Sequence, residues 1–165
     1  MRAIVPISRL AVWSACLVLL AGCGTLIADY SEQAYQNATT LKAETQAMMS
    51  KASEAYPQHS TSVEALSTRI DAAYEFAKGT NHNQLSARQW ELLKDPSRNL
   101  YGGFVARWKA RGTVNAVVIR ESKKQVAETF DYIICLEVNK QSKKACSSLE
   151  PAAPAAVQAE TEAQP

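Results

Sequence analysis

Apolar residues recur at intervals of three and four over most of this chain, and that spacing limits its fold more than any other feature. Three- and four-residue steps stack side chains on one face of an α-helix, whereas a strand needs alternation at every second residue. Leu26, Ile27, Tyr30, Ala34, Ala38, Leu41, Thr45, Met48 and Ala52 predict a first helix from about Leu26 to Ala55 with one apolar stripe. Tyr56-Pro57-Gln58-His59-Ser60 breaks it, because proline cannot donate to the helical ladder and restricts its predecessor. A second helix is expected to open at Thr61 or Ser62, with Thr61-x-x-Glu64 as a capping box, and to end at Gly79. Its inward face is Val63, Leu66, Ile70, Ala73, Tyr74 and Ala77.

The polar run Thr80 to Gln84 reads as a loop, and Ser86-x-x-Gln89 as a capping box for a short helix carrying Trp90 and Leu93. Asp95-Pro96 stops that helix or starts another. A fourth helix carries Leu100, Phe104 and Trp108 and ends near Arg111-Gly112. Gly102-Gly103 inside it implies a close approach of two helices or a local break. Thr113 is the expected cap of a last helix from Val114 to Lys140, in which Val114, Val118, Glu121, Gln125, Thr129, Ile133 and Glu137 make one possible row and Val117, Val126, Phe130, Ile133 and Ile134 a more apolar one. The β-branched density of Val114 to Ile119 and of Tyr132 to Val138 keeps a C-terminal hairpin open as the alternative. Helix is preferred because Glu121-Ser122-Lys123-Lys124-Gln125 lacks a turn glycine or proline. The expected fold is therefore all-α, an antiparallel bundle of four to five amphipathic helices over residues 23 to 149. Residues 150 to 165, built of alanine, proline, glutamine and glutamate, form a disordered tail.

The N-terminus follows a different pattern. Arg2 and Arg9 precede an apolar run from Leu10 to Leu20, too short to span a bilayer, and small residues then lead to a cysteine. Residues 1 to 22 thus read as an export signal, and Leu20-Ala21-Gly22-Cys23 resembles the lipobox of bacterial lipoproteins. The resemblance implies cleavage before Cys23, a diacylglycerol on its sulfur and an acyl chain on its new amino terminus, with no other cofactor. Several acyl chains suffice as a membrane anchor where one does not. Gly24 and Thr25 in place of an aspartate imply, by the same resemblance, the periplasmic face of the outer membrane in a Gram-negative host. The alternative is an ordinary secretory signal with a cysteine at its cleavage site.

Of 165 residues, removal of the first 22 leaves 143, enough for one core. The net charge of +2 resides in Arg2 and Arg9, so the mature chain is neutral and a nucleic-acid partner is not expected. Residues 91 to 150 hold 11 basic and 7 acidic side chains, read as solvated helix faces, with a patch for lipid phosphates or polyanions as the alternative. With Cys16 removed and Cys23 lipidated, Cys135 and Cys146 are the remaining thiols. Export permits a disulfide between them, the alternative being two free thiols. Their spacing matches neither a Cys-x-x-Cys redox site nor a zinc site.

Few residues suggest chemistry. His59 and His82 fall in predicted loops and read as exposed, without acidic or cysteine neighbours at ligand spacing. No serine sits in a nucleophile elbow, and Gly102-Gly103 is not a phosphate loop. Glu121, Glu128, Asp131 and Glu137 could pair as carboxylates on the last helix, but Lys124 beside Glu121 favours surface ion pairs. Trp108, between Arg107 and Lys109, reads as core. Metal and catalytic residues are accordingly not assigned. The expected role is a non-enzymatic, lipid-anchored envelope protein acting through an envelope protein partner, the rival being a periplasmic inhibitor or immunity-type lipoprotein that binds a toxin or hydrolase.

Overall fold

Ser31 decides where the first helix begins. In the computed structural model, which describes residues 27–142 and Cys146, its hydroxyl accepts the Ala34 backbone N–H at 3.2 Å and caps α1, Glu32–Ser50. The expected helix starts earlier, but Ile27 is non-helical and exposed, because the capping serine lies four residues later. The signal segment, Cys23 and the tail lie outside the described residues.

The chain continues through two short 3₁₀ turns, Lys51–Ser53 and Tyr56–Gln58, into α2, Ser60–Gly79. Gln84–Lys94 forms α3, Tyr101–Arg111 forms α4 and Ala116–Ser142 forms α5. Helix therefore replaces the hairpin alternative in the last segment, and no strand occurs among the described residues. The protein is an all-α bundle.

Cross-chain contacts give the directions. Lys42 pairs with Asp131, and Lys123 donates to the Ser50 hydroxyl at 2.6 Å, so α1 and α5 run antiparallel. Glu44 pairs with Arg69 on the returning α2. Lys94 pairs with Asp71 at 2.6 Å, while Trp90 meets Phe130 edge to face at 5.7 Å, laying α3 against α2 and α5. Exposed pairs of this kind contribute only ~0–1 kcal/mol each. The larger stabilisation comes from the apolar stripes: Leu41 and Met49, Val63 and Ile70, Trp90 and Leu93, Phe104 and Trp108, and Val126, Phe130 and Ile133 form one core. Each large side chain fully buried there contributes about 1.5–3 kcal/mol.

Several expected caps do not form. Thr61 lies within α2, which starts after His59, and Ser86 lies within α3, which starts after Asn83. The Asn83 amide instead donates to the Ala77 carbonyl at 3.1 Å, and this bond sets where α3 begins. Gly79 does not adopt positive φ; His82, with φ 58°, makes the left-handed step of that turn. Asn115, not Thr113, caps α5, accepting the Val118 N–H at 2.9 Å. Val117, expected inward, is exposed, and the buried row of α5 is Ile119, Ser122, Val126, Phe130, Ile133 and Glu137.

Gly102 and Gly103 occupy the first turn of α4, where a Cβ would collide with the Lys94 and Arg98 carbonyls respectively. They permit the expected close approach of two helices, since Gly102 at the start of α4 lies against Lys94 at the end of α3, while Gly103 lies against the loop at Arg98. Gly112, with φ 79°, closes α4 and would strain any other residue.

Candidate functional site

The bundle has two chemically distinct ends. One gathers the start of α1, the α2–α3 turn and the last turns of α5. The Ala28 N–H donates to the His82 carbonyl at 3.2 Å, joining the chain before α1 to that turn. There the Ser86 hydroxyl donates to Glu137 Oε1 at 2.7 Å and Lys140 Nζ donates to Glu137 Oε2 at 2.6 Å. Glu137 is 1% exposed and the Lys140 side chain 5%, so a complete ion pair is enclosed. Taking a carboxylate and an ammonium out of water costs several kcal/mol per ion, offset here by their attraction and by the serine. The carboxylate also lies beside the first turn of α3, where the helix dipole favours negative charge.

This overturns the expectation of surface pairing for Glu137. Its position is legible in retrospect: it continues the 3–4 register of Val126, Phe130 and Ile133. Nothing in the sequence points to Ser86 as its partner. The other carboxylates of α5 do not join it, since Glu121 pairs with Arg120 and Asp131 with Lys42. Glu128 is half-buried.

Next to this pair, Cys135 and Cys146 stand at disulfide distance with Cα atoms 5.9 Å apart. The Asn139 amide donates to both sulfurs, at 3.2 Å and 2.8 Å. Cys146 thereby returns to α5, one helical turn before Asn139.

The opposite end is built around Trp108, which is fully buried as expected. Its indole N–H donates to the Glu54 carbonyl at 3.0 Å, and Tyr56 packs edge-on against it at 5.4 Å. His59 corrects another expectation. Its side chain is 18% exposed, its ring lies 5.6 Å from Trp108, and Nε2 is 2.8 Å from Glu54 Oε2. The proline turn folds Glu54 back towards it. His82, by contrast, is exposed as expected.

Two open grooves flank the bundle. A groove of about 430 Å³ between α1 and α2 is lined by Gln33, Asn37, Thr40, Arg69 and Phe76. A smaller one of about 270 Å³ between α4 and α5 includes Asn99, Arg107, Val117 and Glu121. Among the described residues no three His, Cys, Asp or Glu side chains are placed to hold a metal, and no helix is long and apolar enough to cross a membrane. What the buried cluster can do is hold α3 to α5, because both Glu137 oxygens are occupied and covered.

Comparison with protein-family models, curated proteins and solved structures gives no match for this chain.

Proposed function

We propose that this protein is a lipid-anchored lipoprotein of the bacterial envelope, held through acylated Cys23 on the periplasmic face of the outer membrane. Its helical domain acts without catalysis, by contact with an envelope protein. The observation carrying the anchor is Leu20-Ala21-Gly22-Cys23 at the end of an apolar signal run. Two structural facts agree with it. Cys135 and Cys146 are placed to bridge, as an exported chain permits. Only three residues separate Cys23 from Ile27, so an extended link of four steps reaches about 14 Å at most. The non-catalytic part rests on the enclosure of Glu137 and the pairing of His59 with Glu54, which occupy the best-placed acid and base candidates.

Metabolic labelling with an alkynyl fatty acid, followed by membrane fractionation, tests the anchor. Wild type should carry the label and Cys23→Ala should lose it and accumulate as precursor. A Cys23→Ala protein that matures normally would refute the reading. In-cell crosslinking with mass spectrometry of captured partners tests the interaction role, and recovery of no envelope protein above the untagged control would count against it.

A further inference from the structure

We propose that the end of the bundle holding the α2–α3 turn is a membrane-contact surface, which seats its exposed apolar side chains in the interface of the phospholipid bilayer that Cys23 is anchored in. The proposal rests on the lipid-anchor reading and adds an orientation to it. Five large hydrophobic residues are exposed in the described structure: Ile27, Phe76, Leu85, Val117 and Val138, at 62, 40, 53, 58 and 41%. Four of them belong to this one end. Ile27 precedes Ala28, which is bonded to His82 of the turn; Leu85 opens α3 just after the turn; Phe76 is in the last turns of α2; and Val138 adjoins Glu137, which is bonded to Ser86. Exposed apolar residues scattered singly are ordinary, but a concentration at one end marks an interaction surface.

The position of the chain leading to the anchor chooses the occupant. The link from Cys23 enters at Ile27, within the same end, and is too short to let the domain stand far from the lipid. Val117 is at the other end of α5, ~32 Å from Val138 along the helix axis. Asp29 and Glu32 share the proposed surface with Lys78, so attraction to acidic head groups is not the driving force. Burial of Leu85 and its neighbours at the interface is. The enclosed Ser86–Glu137–Lys140 cluster keeps α3 and α5 in register behind that surface.

The test uses the full-length lipidated protein in vesicles of phosphatidylethanolamine and phosphatidylglycerol, with a benzophenone amino acid placed in turn at Leu85, Val138 or Val117. All three positions are exposed, so the label displaces no core side chain, and circular dichroism checks the fold of each. After irradiation, lipid adducts should be several-fold more frequent at Leu85 and Val138 than at Val117. Equal yields at the three positions would overturn the proposal, as would adducts at Leu85 to a second copy of the chain instead of lipid. Intact mass of the same samples separates the two readings: acylated Cys23 with no preference for Leu85 leaves the anchor standing and removes the orientation, whereas absence of acyl mass removes both.

Discussion

Ser86 and Glu137 are 51 residues apart in the chain, yet the serine hydroxyl donates to the glutamate at 2.7 Å in a site closed to water. With Lys140 on the other carboxylate oxygen, the start of α3 is held to the last turns of α5 by a group in which the loss of one member leaves a buried polar partner unsatisfied.

Glu137→Ala should therefore lower the unfolding free energy by about 3–5 kcal/mol, since it leaves Lys140 enclosed without its counter-charge. The double variant Glu137→Met with Lys140→Met should recover most of that loss. Urea titration monitored by circular dichroism measures both, and a single variant as stable as wild type would show that water reaches the site.

The glycines of α4 provide a steric test. Gly103→Ala should cost about 1–3 kcal/mol, because the new methyl meets the Arg98 backbone, which cannot swing aside as a side chain can. Gly79→Ala has open space around it inside a helix and should stabilise by roughly 0.5–1 kcal/mol. Opposite signs in parallel thermal melts are expected.

If Cys135 and Cys146 are bridged in the mature protein, peptide mapping without reductant should recover them linked. Reduction should then cost ~2–3 kcal/mol for so short a loop in the chain-entropy model. The double serine variant should behave as the reduced protein does, insensitive to added reductant.

Stability should depend on pH at both extremes for identifiable reasons. Burial raises the Tyr101 hydroxyl from 10.0 to about 12. A raised folded-state value means the contribution is intact below pH 10 and lost as pH climbs towards 12. Tyr101→Phe should therefore blunt alkaline unfolding followed by circular dichroism. Asp95 is shifted the other way, below its usual 3.8, first by the Ser97 hydroxyl and then by the Ser97 backbone N–H. Its contribution is present above 3.8 and fades below it, so Asp95→Asn should flatten the acid limb of the same curve.

Much of this architecture is legible along the chain. The 3–4 spacing of Ala34, Ala38, Leu41 and Thr45, and of Val63, Leu66 and Ile70, specifies helices and their buried faces, because helical geometry alone puts those residues on one side. Trp108 lies in the core and Cys135 and Cys146 at disulfide distance, as the sequence leads one to expect. Leu20-Ala21-Gly22-Cys23, from which the proposed anchor is drawn, is a local pattern as well.

What only the tertiary structure decided are the relations between distant residues. Ser86 has the right spacing for a cap, but Asn83 bonds Ala77 and Ser86 bonds Glu137, so α3 starts three residues earlier than the local capping rule places it. His59 looks exposed beside Pro57 until the turn brings Glu54 and Trp108 against it. Glu137 looks like a surface acid until α3 covers it. In each case a short-range preference worth about 1 kcal/mol yields to burial and to the satisfaction of enclosed polar groups, which depend on neighbours that the sequence does not place side by side.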